Sequence, residues 1–155
     1  ELDMNIKYRF CEVIGTMFYI GKIPLAPGTW GSLVALLLWY LIKPKIIDPL
    51  FLLITGGLFF IGIAVSEIIT RELDNYDPKE IVIDEWVGMW IALYLVPHSI
   101  FWGLVSFFLF RFFDIFKPGP VQIMDDIHSP IGVMLDDVVA GILALLVTQS
   151  LMYYI

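Results

Sequence analysis

Residues 50–69, LFLLITGGLFFIGIAVSEII, form an almost unbroken apolar run of twenty residues. As a helix rising 1.5 Å per residue it is about 30 Å long, the thickness of a bilayer's hydrocarbon core. A chain that enters that core must satisfy its own backbone polar groups, and helices do so within one segment. The run is not isolated. SLVALLLWYLI (32–42), IVIDEWVGMWIALYLV (81–96), IFWGLVSFFLFRFF (100–113) and a stretch from Ile131 to Ile155 share its character. The chain is 59% hydrophobic and 16% charged, whereas soluble domains carry about 25% charged residues. Because the apolar excess falls into runs separated by short polar stretches, the sequence predicts an all-α, polytopic membrane bundle of about five short transmembrane helices. A soluble helical bundle with an unusually apolar core is the alternative.

The remaining segments fit one membrane-embedded domain over residues 1–155. Residues 8–23 are apolar but broken by Glu12, Gly15 and Gly21, which suits an N-terminal interfacial or re-entrant helix. PLAPGTWGS (24–32) is a Pro- and Gly-rich turn, and only PHS joins 81–96 to 100–113, so those two segments form a tight hairpin. Residues 114–130, with three prolines, read as a loop. A net charge of −7 leaves no basic stripe for nucleic acid. The single Cys11 excludes an internal disulfide, and no signal-peptide cleavage pattern follows the polar opening ELDMNIKYRF.

Following the crossings places Lys7, Arg9, Lys22, Arg71, Lys79, Arg111 and Lys117 on one side and only Lys43 and Lys45 on the other. By the positive-inside rule the first side is cytoplasmic. The polar residues of the spans gather on that rim. Thr29 and Ser32 open the first span, Glu67 lies near the end of the second, and Asp84 and Glu85 begin the third. Arg111, Asp114 and Lys117 end the fourth, and Asp136 and Asp137 begin the fifth.

Ionisable residues at membrane depth are expensive and are usually functional. Asp84, Glu85, Asp114, Asp136 and Asp137, with Glu67 beside them, repel one another unless some are protonated or a cation sits among them. Oxygen ligands of this kind suit Mg²⁺, Mn²⁺ or Ca²⁺. Zinc is disfavoured, because His98 and His128 are the only histidines and His98 falls on the opposite side. Taken singly, the acid pairs at helix starts are also explained by the helix dipole, but Asp114 at a helix end is not. Arg111, Asp114 and Lys117 recur at i, i+3 and i+6, near one helical face. They form either a chain of ion pairs or an anion clamp, since Arg binds phosphate bidentately and Lys binds it as a point charge. Thr29 and Ser32 are natural N-caps, and a Gly-flanked helix start is also an anion site. Cations for phosphate, acids for a divalent metal and access from lipid together suggest chemistry on a lipid headgroup phosphate.

PGTWGS, IVIDEWVGMWIA, RFFDIFKPGP and GVMLDDVVAG, in this order and spacing, resemble the phosphatidylglycerophosphatase A family over about residues 14–149. The resemblance covers Thr29, Gly31 and Ser32, then Asp84 and Glu85, then Arg111, Asp114, Lys117 and Pro118, and finally Asp136 and Asp137. It implies a Mg²⁺-dependent phosphatase of bacterial inner membranes that converts the phospholipid phosphatidylglycerophosphate to phosphatidylglycerol. One departure is Ser129-Pro130, where the family tends to have paired glycines. The expected roles are Asp84, Asp114 and Asp137, with Glu67, as metal ligands and Glu85 or Asp136 as general base. Arg111, Lys117, Thr29 and Ser32 are expected to hold the phosphate. A non-enzymatic cation or proton carrier using the same acids is the alternative function. A lipid synthase of the CDP-alcohol type is disfavoured because its D-G-x₂-A-R…G-x₃-D-x₃-D pattern is absent.

Overall fold

Prolines at helix starts and left-handed residues at helix ends punctuate the chain. The computed structural model describes residues 2–155, and among them there are seven α-helices and no strand. They are α1 (Leu2–Gly15), α2 (Pro27–Ile42), α3 (Asp48–Leu73), α4 (Ile83–Ala92), α5 (Ile100–Phe116), α6 (Gly119–Asp125) and α7 (Pro130–Tyr154). Pro27 and Pro130 take the first helical position of α2 and α7, where the missing N–H costs nothing. Ser99 and Ser129 cap α5 and α7 by accepting from the N–H groups of Trp102 and Gly132. Asp74 and Lys117 stop α3 and α5 in the left-handed conformation, at φ 50° and 48°.

α3 and α7, of 26 and 25 residues, are each long and apolar enough to cross a membrane. Their outer faces, and that of α5, present large apolar side chains such as Leu53, Phe60, Phe108, Phe112 and Leu146. The interior holds Ser32, Thr55, Ser66, Ser106, Thr148 and three aspartates. The interior also contains bulky apolar groups such as Trp39 and Phe110, so large apolar side chains lie both inside and on the outer faces, more exposed than a water-soluble bundle normally shows.

α4 is the hub. Nearly all of it is buried, from Ile83 and Asp84 through Trp86–Trp90 to Ala92, and α2, α3, α5 and α7 pack around it. Trp90 donates its indole N–H to the Ala35 carbonyl of α2 at 2.9 Å and tilts against Phe51 of α3. Against α7 the approach is closer still. A Cβ on Gly88 would lie 2.6 Å from the Asp137 carbonyl, and one on Gly141 would strike the Gly88 carbonyl. Two glycines thus let the backbones of α4 and α7 meet.

Three expectations need correction. The segment 81–96 is regular helix only over Ile83–Ala92, about 15 Å of rise. Residues 93–98 turn instead, with Leu95 at φ 61°, because Pro97 disfavours helical backbone at the residue before it. The loop over 114–130 contains α6, whose Val121 is buried. The apolar segment expected at 8–23 is helical from Leu2 and stops at Gly15, after which Met17, Phe18 and Tyr19 are successively left-handed. That reversal seats Gly21 under the Glu80 carbonyl and lets Val82 donate to the Gly15 carbonyl at 2.9 Å. It thereby fixes the start of α4.

Gly141→Val is expected to lower stability by roughly 1–3 kcal/mol or more through overpacking. Gly57→Ala, whose added Cβ meets nothing within 4 Å, is expected to be neutral or stabilising. Thermal unfolding in detergent compares the two.

Candidate active site

The start of α4, the middle of the first half of α7 and the end of α5 meet at the start of α2. Asp84 and Glu85 fall in the first turn of α4, where the helix dipole favours them. Asp84 also accepts the Glu85 backbone N–H at 2.9 Å. The close α4–α7 approach then brings Asp137 beside them. One carboxylate oxygen from each of Asp84, Glu85 and Asp137 lies within 4.8 Å of the others. Asp84 and Asp137 are 4% and 2% exposed.

Two cations stand near this trio, each paired with another acid. Arg111 of α5 donates to Asp114 at 2.5 Å, both being largely buried. Asp114 is near enough to act electrostatically on Asp84, Glu85 and Asp137. Lys117 bridges Asp136 of α7 at 2.8 Å and Asp125 of α6 at 2.9 Å. Gly28 of α2 closes the other side. A Cβ there would lie 2.7 Å from Glu85 Oε1 and 3.3 Å from Arg111 Nη1. The missing side chain lets the α2 backbone pack close against an acid and a guanidinium.

Several polar atoms of this pocket have no hydrogen-bond partner: Glu85 Oε2, Asp136 Oδ1, Asp137 Oδ1 and Arg111 Nε. Buried polar groups are normally paired. Three clustered carboxylates, two of them with an orphaned oxygen, form a hard, anionic donor set that fits a divalent cation of the Mg²⁺ kind. An orphaned guanidinium N–H beside them fits an anion.

Of the expected site residues, Asp84, Glu85 and Asp137 are brought together. Asp114, Arg111, Asp136 and Lys117 form the next ring. Thr29 stays half-buried in the first turn of α2. Neither Thr29 nor Ser32 is the N-cap expected; Ala26 is, at φ 50°, because Pro27 already starts the helix. The Ser32 hydroxyl donates to the Gly28 carbonyl at 2.8 Å within its own helix. Glu67 is not brought to the cluster. It is exposed on α3 and pairs with Arg71 at 3.0 Å, one helical turn along.

Three contributors were not singled out in the sequence. Gly28 stands inside a quoted motif, but its role depends on a three-dimensional neighbour. Asp125 lies in an element the prolines concealed. Asp77, before α4, acts electrostatically on the same rim, within reach of Asp84, Asp114, Lys117 and Asp125; only the acidic character of its loop hinted at it.

The sequence pattern of the phosphatidylglycerophosphatase A family matches residues 13–152. The chain belongs to that family. The Haemophilus influenzae protein named phosphatidylglycerophosphatase A is 38% identical over 92% of this chain and 89% of its own length. Its Escherichia coli namesake is 34% identical over 93% and 82%. A Bacteroides thetaiotaomicron protein provisionally named a phosphatidylinositol-3-phosphatase is 37% identical over 84% and 86%. No solved structure matches. In this member of the phosphatidylglycerophosphatase A family, the Ser129-Pro130 departure is structural: the pair caps and opens α7.

Lys117 also sets a pH dependence. Burial works against its charge, but hydrogen bonds and charge from Asp136 and Asp125 outweigh that, so its pKa stands above the ordinary lysine value. Burial likewise opposes the Asp125 carboxylate, but Lys117 holds it below the ordinary aspartate value of 3.8. The folded state therefore binds Asp125's proton less readily than the unfolded chain. Its stabilisation is present above 3.8 and is lost as pH falls through the lower folded value. The contribution of Lys117 is present below the ordinary lysine value of 10.5 and is lost only in stronger alkali. Asp125→Asn is expected to lower Tm by a constant amount between about pH 6 and 9, with the difference closing on acidification. Paired melting curves of the two proteins across pH measure this.

Proposed function

We propose that this protein is a Mg²⁺-dependent lipid phosphatase that hydrolyses phosphatidylglycerophosphate to phosphatidylglycerol and phosphate. The observation that carries the reading is the Asp84–Glu85–Asp137 cluster, within 4.8 Å and beside the Arg111–Asp114 pair. The names of the Haemophilus and Escherichia relatives supply the substrate. The setting we propose is a bacterial inner membrane, with α2, α4 and α5 joining α3 and α7 as short crossings and the cluster at the cytoplasmic rim. Lipid on the outer faces of α3, α5 and α7 would solvate the exposed Leu and Phe side chains.

Asp84 and Asp137, with Asp114 beside them, would hold the cation. When bound, Mg²⁺ neutralises the acids and serves as a Lewis acid for the phosphoryl oxygens and the departing alkoxide. The chain's own residues do the rest. Arg111 offers its unpartnered Nε–H to a phosphate oxygen while Asp114 fixes its guanidinium plane. Gly28 keeps the α2 backbone close against Glu85 and Arg111, where a side chain would displace them. Glu85, whose Oε2 is unpartnered, would take a proton from the attacking water. As the water oxygen bonds to phosphorus, the bond from phosphorus to the glycerol oxygen breaks. Lys117, tied to Asp125 and Asp136, holds α6 and α7 together and supplies positive charge at the rim.

The Bacteroides relative makes a phosphoinositide the second substrate to test. The carrier reading gains no support from the family or its named relatives.

Phosphate release by purified protein from phosphatidylglycerophosphate, with phosphatidylinositol 3-phosphate as competitor, tests the proposal. Chelation of divalent cations is expected to abolish turnover and added Mg²⁺ to restore it. Asp84→Asn and Asp114→Asn are expected to fold and to lose about 10²-fold or more in kcat. Near-normal rates in both variants would remove the chemistry from this cluster.

A further inference from the structure

An apolar groove of about 390 Å³ runs between α2 and α5, lined by Trp30, Leu33, Leu37, Trp39, Ile100 and Leu104 among others. Its volume is within the range of small-molecule sites. Its floor is set by Gly103, where an added Cβ would lie 3.1 Å from both Leu36 and Trp39. Trp39 is fully buried beneath it, and Leu37 and Ile100 are 58% and 63% exposed along its open edge.

The direction of the groove is informative. On α2, Thr29, Leu33, Leu37 and Tyr40 recur at i, i+4, i+8 and i+11, which is one helical stripe. On α5, Ile100, Leu104 and Arg111 recur at i, i+4 and i+11, also one stripe. Each wall therefore leads toward the acid cluster, one to Thr29 beside Gly28 and the other to Arg111. Glu85 Oε1 and Arg111 Nη1 both lie within 3.3 Å of where a Cβ on Gly28 would stand, so these three residues share one corner of the site. From residue 30 to residue 40 the α2 wall extends about 15 Å, and a long hydrocarbon chain can lie along it. The protein has other apolar hollows, one of them against Leu53, Gly56 and Phe60 of α3. That hollow lies against neither α2 nor α5, the helices whose ends carry Gly28 and Arg111.

We propose that the α2–α5 groove binds one acyl chain of the phosphomonoester lipid whose headgroup reacts at the acid cluster. This rests on the phosphatase reading and adds the part of the substrate that the reading leaves unplaced. Both needs meet in one arrangement: an anionic headgroup at Arg111 and Gly28, and a hydrocarbon tail in a groove whose α2 wall starts at Trp30, two residues from Gly28. Binding energy from the tail positions the phosphate, so a tail held badly should cost the reaction at the distant headgroup.

Two substrates with the same headgroup, one with palmitoyl and one with butyryl chains, provide the test in mixed micelles. The readout is the ratio of kcat/KM for the long chain to that for the short. Leu37→Trp and Leu104→Trp fill the groove and are expected to lower this ratio by about tenfold. Leu53→Trp, on the outer face of α3 at 72% exposure, is expected to keep the ratio of the unaltered protein. If all three variants shift it equally, or if the groove variants leave it unchanged, the assignment is wrong.

Cross-linking of the unaltered protein does not depend on the variants folding. A phosphatidylglycerophosphate with a diazirine at its acyl terminus is expected to label residues 30–40 and 100–104 more than phosphatidylcholine carrying the same diazirine. Equal labelling by both lipids would show indiscriminate bilayer contact and overturn the proposal. Should the unaltered protein hydrolyse neither substrate, the phosphatase reading falls, and the labelling still decides whether the groove prefers a phosphomonoester lipid.

Discussion

Three carboxylates from two helices are held within one small volume and largely out of water. Like charges so placed repel strongly, and the repulsion grows as the surroundings become less polar. The bundle is arranged around containing that repulsion. The α4 dipole faces Asp84 and Glu85, Arg111 sits against Asp114, and Lys117 spans Asp125 and Asp136. Each of these offsets part of that repulsion without occupying the centre of the trio. The centre keeps orphaned oxygens, which is the condition for holding a cation there.

The arrangement needs backbones that approach closely. Gly88 and Gly141 bring α4 and α7 into contact, and Gly28 lets the start of α2 pack close against Glu85 and Arg111. Farther out, Gly15 and Gly21 fasten the residues before α4 to the reversal that follows α1. The acids are thus positioned by residues without side chains, while the residues with bulk, Trp39, Phe110 and Met134 among them, fill the space behind.

Much of this is legible in the sequence, and the illegible part has physical causes. The apolar runs announced helices, and the convergence of acids and bases on one rim followed from counting crossings. Positions 84, 85 and 137, all expected on that rim, come together in the fold. Contacts that depend on spatial approach were not readable. Glu67 shares the rim in sequence, but the surface of α3 it occupies turns it to Arg71. Thr29 and Ser32 have the chemistry of caps, but Pro27 starts the helix two residues before the first of them. The length of α4 was overestimated because an apolar pattern does not distinguish a buried helix from the buried turn that follows it.

The burial of α4 on nearly all sides leaves it little latitude in evolution. On α3 or α7, one apolar side chain facing outward can replace another with small effect, because any of them suits the same surroundings. On α4 almost every position touches another helix, so a change must be accommodated by a change elsewhere. Drift in this fold should therefore be rapid on its periphery and slow along a single short axis, with the reactive acids at one end of the slow part.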